Sequence, residues 1–99
     1  SAPAYFFYLL ENMIEAGVQF GLTQQQATAL AMQTALGSAQ MALTSHDTPA
    51  ELRRKVTSPN GTTQAAIEVM DAKQMNQTII DAMQACVERS RELSQVLAK

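Results

Sequence analysis

Apolar and small residues recur at spacings of three and four along almost the whole chain, and no window sustains period-two alternation. The pattern predicts an all-α fold, a bundle of about five helices. The first helix is expected over about residues 3–20. Pro3 suits a first turn, where the missing N–H has no helical partner, and Gly17 and Gly21 mark the far end. Tyr5 to Leu10 are all apolar or aromatic, while Tyr8, Glu11, Asn12, Glu15 and Gln19 leave one narrow polar stripe. A helix so apolar around its circumference is expected to be buried on several sides, with its aromatic rings serving as core.

Thr23 followed by Gln26 has the spacing of a capping box and starts a second helix, expected to run to about Leu43. This helix is rich in Ala27, Ala29, Ala31, Ala35, Gly37, Ser38, Ala39 and Ala42, residues that let two backbones approach closely. Residues 16–45 carry no formal charge. A membrane span is nevertheless disfavoured, because Gln24, Gln25, Gln26, Gln33 and Gln40 would each place an amide in hydrocarbon. Burial against protein fits the composition better.

His46 and Asp47 fall in a connection. Thr48-Pro49-Ala50-Glu51 then supplies a second capping box with Pro at the first helical position. The third helix is short, and Arg53, Arg54 and Lys55 lie in its last turn, where cations complement the helix dipole. A fourth helix is expected from Thr63 to about Ala72, with Ala66, Ile67 and Met70 on one face. Asn76 or Thr78 is the expected cap of a fifth. Its apolar stripe runs through Ile79, Ala82, Met83, Cys86, Leu93 and Leu97 with a break at Arg89 and Ser90. Cys86 on that stripe reads as a small core residue rather than a nucleophile.

Composition changes this picture in one respect. Ninety-nine residues make one domain with a modest core, 46% of the residues are hydrophobic, and only 16% are charged. That charged fraction is well below the roughly 25% of an ordinary soluble domain. Much of the surface is therefore expected to face protein. The net charge of -2 offers no basic face for nucleic acid or an anionic membrane, and neither is an expected partner. One cysteine makes no internal disulfide and points to a reducing compartment, so the protein is expected to be cytoplasmic. The opening Ser1-Ala2-Pro3-Ala4-Tyr5, without initiator methionine or leader, is that expected of a piece of a longer chain.

Little catalytic chemistry is on offer. His46 is the single histidine, no cysteine or carboxylate cluster stands with it at metal-ligand spacing, and no G-x-S-x-G elbow is present. Neither a metal site nor hydrolysis is expected. Gly17, Gly21, Gly37 and Gly61 are scattered, so neither a dinucleotide loop nor a P-loop is formed. The exception is Val56-Thr57-Ser58-Pro59-Asn60-Gly61-Thr62-Thr63. Pro59 keeps Ser58 extended, Asn60 and Gly61 tolerate left-handed backbone angles, and Thr62 and Thr63 enter a helix whose first N–H groups have no internal partner. Those groups, with the hydroxyls of Ser58, Thr62 and Thr63, suit a small anion, most naturally a carboxylate. On spacing alone, ordinary helix capping is the favoured reading of the same hydroxyls.

The loop resembles the V-T-S-P-G-G-T-T motif of pyrroline-5-carboxylate reductases, and the likeness runs the length of the chain. Ser1-Ala2-Pro3-Ala4-Tyr5-Phe6-Phe7 is similar to that family's G-S-G-P-A-Y-x-F, and Glu15-Ala16-Gly17-Val18 with Gly21-Leu22 to its A-G-V-x-x-G-L. Leu36-Gly37-Ser38-Ala39 with Met41 resembles L-G-A-A-K-M, and Pro49-Ala50-Glu51-Leu52 resembles P-A-E-L. Ile80-Asp81-Ala82 and Glu88-Arg89-Ser90-Arg91-Glu92-Leu93 are similar to I-D-A and E-R-S-x-E-L. Asn60 and Ala2 stand where the family carries Gly.

The resemblance implies a C-terminal helical domain, residues 1–99, that interlocks with a second copy as a homodimer and can assemble further into rings of dimers. It also implies a preceding Rossmann domain, absent from this chain, that binds most of the NADPH or NADH. The full enzyme would reduce 1-pyrroline-5-carboxylate to proline, the last step of proline biosynthesis. Ser58, Gly61, Thr62 and Thr63 would bind the substrate carboxylate. Thr63, placed near the ring nitrogen, would be the catalytic position; a threonine hydroxyl is a weak acid and suits an orienting hydrogen bond better than proton delivery. The competing reading is a non-catalytic α-helical dimerisation module.

Overall fold

The computed structural model describes residues 1–98 and is all-helical: α1 Ala2–Gln19, α2 Gln24–Thr44, α3 Pro49–Lys55, α4 Thr62–Ala72 and α5 Met75–Ala98. It divides into two compact units, Ser1–Leu52 and the part from Arg53 onward. Among the described residues, no helix is long and apolar enough to cross a membrane.

The first unit is a helical hairpin of α1 and α2. Pro3 lies in the first turn of α1. The far end closes in a Schellman pattern: Gly21 N–H donates to Val18 O at 3.1 Å, Leu22 N–H donates to Gly17 O at 3.1 Å, and Gly21 has φ +107. A side chain is strained at that angle, which accounts for the glycine. The chain then turns into α2 through a complete capping box, with Thr23 N–H donating to Gln26 Oε1 at 3.0 Å and Gln26 N–H to Thr23 Oγ1 at 3.1 Å.

Gly17 and Ala27 fix the approach of the two helices, since a Cβ on Gly17 would stand 3.1 Å from that of Ala27. Ala27 and Ala31 are the buried core residues of the described chain, at 3% and 8% exposure. The small-residue run of α2 is thus used within the chain at its N-terminal half. Gly37, by contrast, has open space where a Cβ would be.

The expected burial of α1 is not met within a single chain. Phe6, Phe7 and Tyr8 are each about two-thirds exposed, and Phe20 is 89% exposed. The reason is geometric: α2 covers one side of α1, whereas the apolar residues extend around most of it.

In the second unit α4 packs on α5. The link between them is shorter than expected, and α5 begins at Met75, ahead of Asn76 and Thr78. Neither caps it. Gln74 makes the reversal by adopting φ 60, with its N–H donating to Asp71 O at 2.9 Å and its carbonyl accepting the first helical bond from Thr78 N–H at 3.0 Å. Thr78 Oγ1 also donates to that carbonyl. Cys86 is half-buried rather than enclosed.

Candidate functional site

The Val56–Thr63 segment is a turn set against the start of a helix. As α3 ends, Val56 and Thr57 N–H donate to Arg53 and Arg54 carbonyls, each at 3.2 Å, and Thr57 Oγ1 donates to Arg53 O. Thr57 is therefore committed to closing α3. The chain next makes a tight turn over Ser58-Pro59-Asn60-Gly61, closed by Gly61 N–H donating to Ser58 O at 3.1 Å. Proline at the second position and φ 61 at Asn60 in the third identify a type II turn.

The two central residues expected to tolerate left-handed angles divide that work unequally. Asn60 takes the left-handed angle. Gly61 does not: its φ and ψ are -89 and -177, ordinary extended backbone. What Gly61 supplies is room, because a Cβ there would stand 3.2 Å from Ser58 O and 3.5 Å from Ser58 Cβ.

Gly61 is also the N-cap of α4, and no side chain caps this helix. The first helical bond is Ala65 N–H to Gly61 O at 3.2 Å. The N–H groups of Thr62, Thr63 and Gln64 precede that bond and have no partner within the helix. The plain-cap reading of the hydroxyls is thereby corrected: Ser58, Thr62 and Thr63 are exposed beside these donors and do not cap them. Thr23-x-x-Gln26 closes the N-terminus of α2 with both halves of a capping box, whereas Gly61-x-x-Gln64 has the same spacing but no hydroxyl at the first position. The result is a helix end with donors and a partial positive charge directed outward.

Reading by hydroxyls alone missed Gln64. Its Oε1 accepts from Asn60 N–H at 2.6 Å, and its Nε2 donates to Glu68 Oε1 at 2.9 Å. The available signal was the third-position glutamine of a capping box, obscured by the glycine that stands at the cap. Gln64 also lines a depression with Arg53, Arg54, Thr57, Pro59 and Ile67, so two guanidinium-bearing side chains border the turn. Their positive charge adds to that of the helix end.

Comparison with known proteins gives this geometry a context. A model of the family described as pyrroline-5-carboxylate reductase dimerisation matches residues 1–93. The pyrroline-5-carboxylate reductase of Pseudomonas aeruginosa is 50% identical over 99 residues, covering 100% of this chain and 36% of that protein. The Escherichia coli enzyme of the same name is 40% identical over 94 residues, covering 95% of this chain and 35% of its own length. Among solved structures, a pyrroline-5-carboxylate reductase from Coxiella burnetii superposes with TM-score 0.91 at 44% identity, over 94% of this chain and 34% of that one. A pyrroline carboxylate reductase from Plasmodium falciparum, solved with NADP bound, gives TM-score 0.88 at 30% identity over 90% of this chain and 36% of that one. The chain thus spans about a third of the length of the relatives it matches. With its sequence matched almost end to end and its fold superposing on theirs, the chain belongs to the pyrroline-5-carboxylate reductase dimerisation family.

Proposed function

We propose that this chain is the dimerising, substrate-binding part of an enzyme that reduces 1-pyrroline-5-carboxylate to proline with hydride from NADPH or NADH. The observation that carries the proposal is the uncapped N-terminus of α4, set in a chain of this family. The N–H groups of Thr62 and Thr63, with the hydroxyls of Ser58, Thr62 and Thr63, hold the substrate carboxylate, and Gly61 keeps the turn slim enough for it. Thr63 Oγ1 orients the ring nitrogen.

A cyclic iminium already accepts hydride, so the demand on these residues is placement rather than acid–base work. The nicotinamide dinucleotide supplies the hydride when bound. No glycine of this chain forms a dinucleotide loop: Gly17 and Gly21 end α1, Gly37 lies inside α2, and Gly61 caps α4. Most of the dinucleotide is therefore held by a separate N-terminal domain, with residues 1–99 acting as one functional domain.

The functional unit is a homodimer, able to assemble into rings of dimers. Phe6, Phe7, Leu36 and Leu43 in the first unit, and separately Ile79 and Ile80 in the second, are apolar side chains exposed in the single chain, residues of the kind that protein contacts cover. We place the protein in the cytoplasm, where the nicotinamide pools serve biosynthesis and a lone thiol stays reduced.

The test is an assay of the full-length protein with 1-pyrroline-5-carboxylate and each dinucleotide. Proline formation is expected. A protein that binds the dinucleotide and dimerises, but forms no proline across substrate concentrations, would leave only the dimerisation role.

A further inference from the structure

The amide of Gln64 is pinned at both ends. Its Oε1 accepts from the backbone N–H of Asn60 at 2.6 Å, and its Nε2 donates to the carboxylate of Glu68 at 2.9 Å. This arrangement admits one orientation only, because a flipped amide would set Nε2 against a donor at Asn60 and Oε1 against an acceptor at Glu68. Glu68 lies one turn further along α4, so its carboxylate fixes which face of the Gln64 amide meets the turn. Gln64 is half-buried, whereas Asn60 and Glu68 are exposed.

Asn60 is the residue with φ 61, and it sits between Ser58 and the cap residue Gly61. Left-handed backbone is tolerable for asparagine but not its lowest-energy choice. Donation of its N–H to Gln64 Oε1 therefore selects this conformation over the alternatives of a free turn. The same bond has a second effect. It occupies the Asn60 donor, as the turn bond occupies that of Gly61, so the outward-facing donors are confined to the helix end proper.

We propose that Gln64 is a positioning residue: oriented by Glu68, it clamps Asn60 N–H, holds the type II turn in place, and so sets the distance between the Ser58 hydroxyl and the α4 N-terminus that the substrate carboxylate must match. The consequence for substrate binding rests on the function proposed above; the clamp itself does not. Replacement of Gln64 loosens the turn without removing any group that touches substrate. The effect falls on KM for the carboxylate-bearing substrate and leaves KM for the dinucleotide unchanged.

The experiment uses the full-length protein as wild type, Gln64→Leu, and the exchanged pair Gln64→Glu with Glu68→Gln, in which a carboxylate accepts from Asn60 N–H and is itself held by an amide. Amide hydrogen exchange at Asn60 reads the clamp directly. Protection is expected in the wild type, loss in Gln64→Leu, and recovery in the exchanged pair. Steady-state kinetics of Gln64→Leu are expected to show KM for 1-pyrroline-5-carboxylate raised about tenfold, the value of one such hydrogen bond. Equal Asn60 exchange in wild type and Gln64→Leu overturns the clamp. Loss of protection with KM changed less than about twofold overturns its role in positioning. A wild-type protein inert toward 1-pyrroline-5-carboxylate defeats the proposed function alone, and Asn60 exchange still decides the clamp.

Discussion

Gly17 and Ala27 are in such close apposition that a methyl group on the glycine would come within 3.1 Å of the alanine Cβ. Ala27 is buried, and its Cα would lie only 3.9 Å from the added carbon, so relief must come from movement of the helix rather than of a flexible tip. Gly17→Val is expected to destabilise the protein by about 1–3 kcal/mol, the usual penalty of overpacking. In Gly17→Ala the gain in helix propensity, up to about 1 kcal/mol, opposes a smaller clash, and the variant should fall between valine and wild type. Urea unfolding midpoints check the order. A valine variant as stable as wild type would remove this contact from the account.

The turn before α4 invites a different kind of substitution. Asn60→Ala places an ordinary L-residue at φ 61 and is expected to cost about 1 kcal/mol. Asn60→Gly should lie within about 0.5 kcal/mol of wild type, because left-handed backbone costs glycine nothing while its unfolded state is freer. Denaturant unfolding of the two variants side by side gives the comparison. An alanine variant as stable as the glycine variant would mean that Asn60 does not hold this conformation in solution.

Much of the fold was legible in the sequence, for local reasons. Pro3, the Thr23–Gln26 box and the Thr48-Pro49 start each satisfy a backbone demand within a few residues, and all three helices begin where those signals stand. The start of α5 was not legible, since a glutamine at φ 60 carries none of the glycine or asparagine signature of a left-handed turn. The candidate loop was legible as a hydroxyl-rich segment, but its organisation was not. Which of Asn60 and Gly61 turns left-handed, and that Gln64 reaches back to Asn60, depend on three-dimensional proximity that spacing does not encode. The aromatic residues of α1 have the placement of core residues, on a helix apolar around most of its circumference. Whether a face is covered by the same chain or by another is a fact about assembly that periodicity leaves open.

That assembly gives a direct prediction. With Ala27 and Ala31 as the buried core residues and large apolar side chains exposed along α1, α2 and α5, a lone copy has little to hold it together. Sedimentation of the 99-residue chain at micromolar concentration should give a dimer or a larger species. A stable, folded monomer would contradict the proposed assembly.

Within the proposed site, Thr63 and Ser58 are expected to behave differently. Thr63→Ala in the full-length protein removes a hydrogen bond to the reacting ring and should lower kcat about tenfold, with Thr63→Ser retaining most of the activity. Ser58→Ala removes a contact to the carboxylate and should act chiefly on KM. Steady-state kinetics that place both losses on KM would take Thr63 out of the neighbourhood of the ring nitrogen.

An uncapped α4 end that holds a carboxylate, as proposed, must discriminate between 1-pyrroline-5-carboxylate and 1-pyrroline, which has the same ring imine without the acid group. Hydrogen bonds to a charged group contribute about 1.5–3 kcal/mol each, so kcat/KM of the full-length protein should favour the carboxylate-bearing substrate by about a hundredfold or more. Similar kcat/KM values for the two imines would contradict the account.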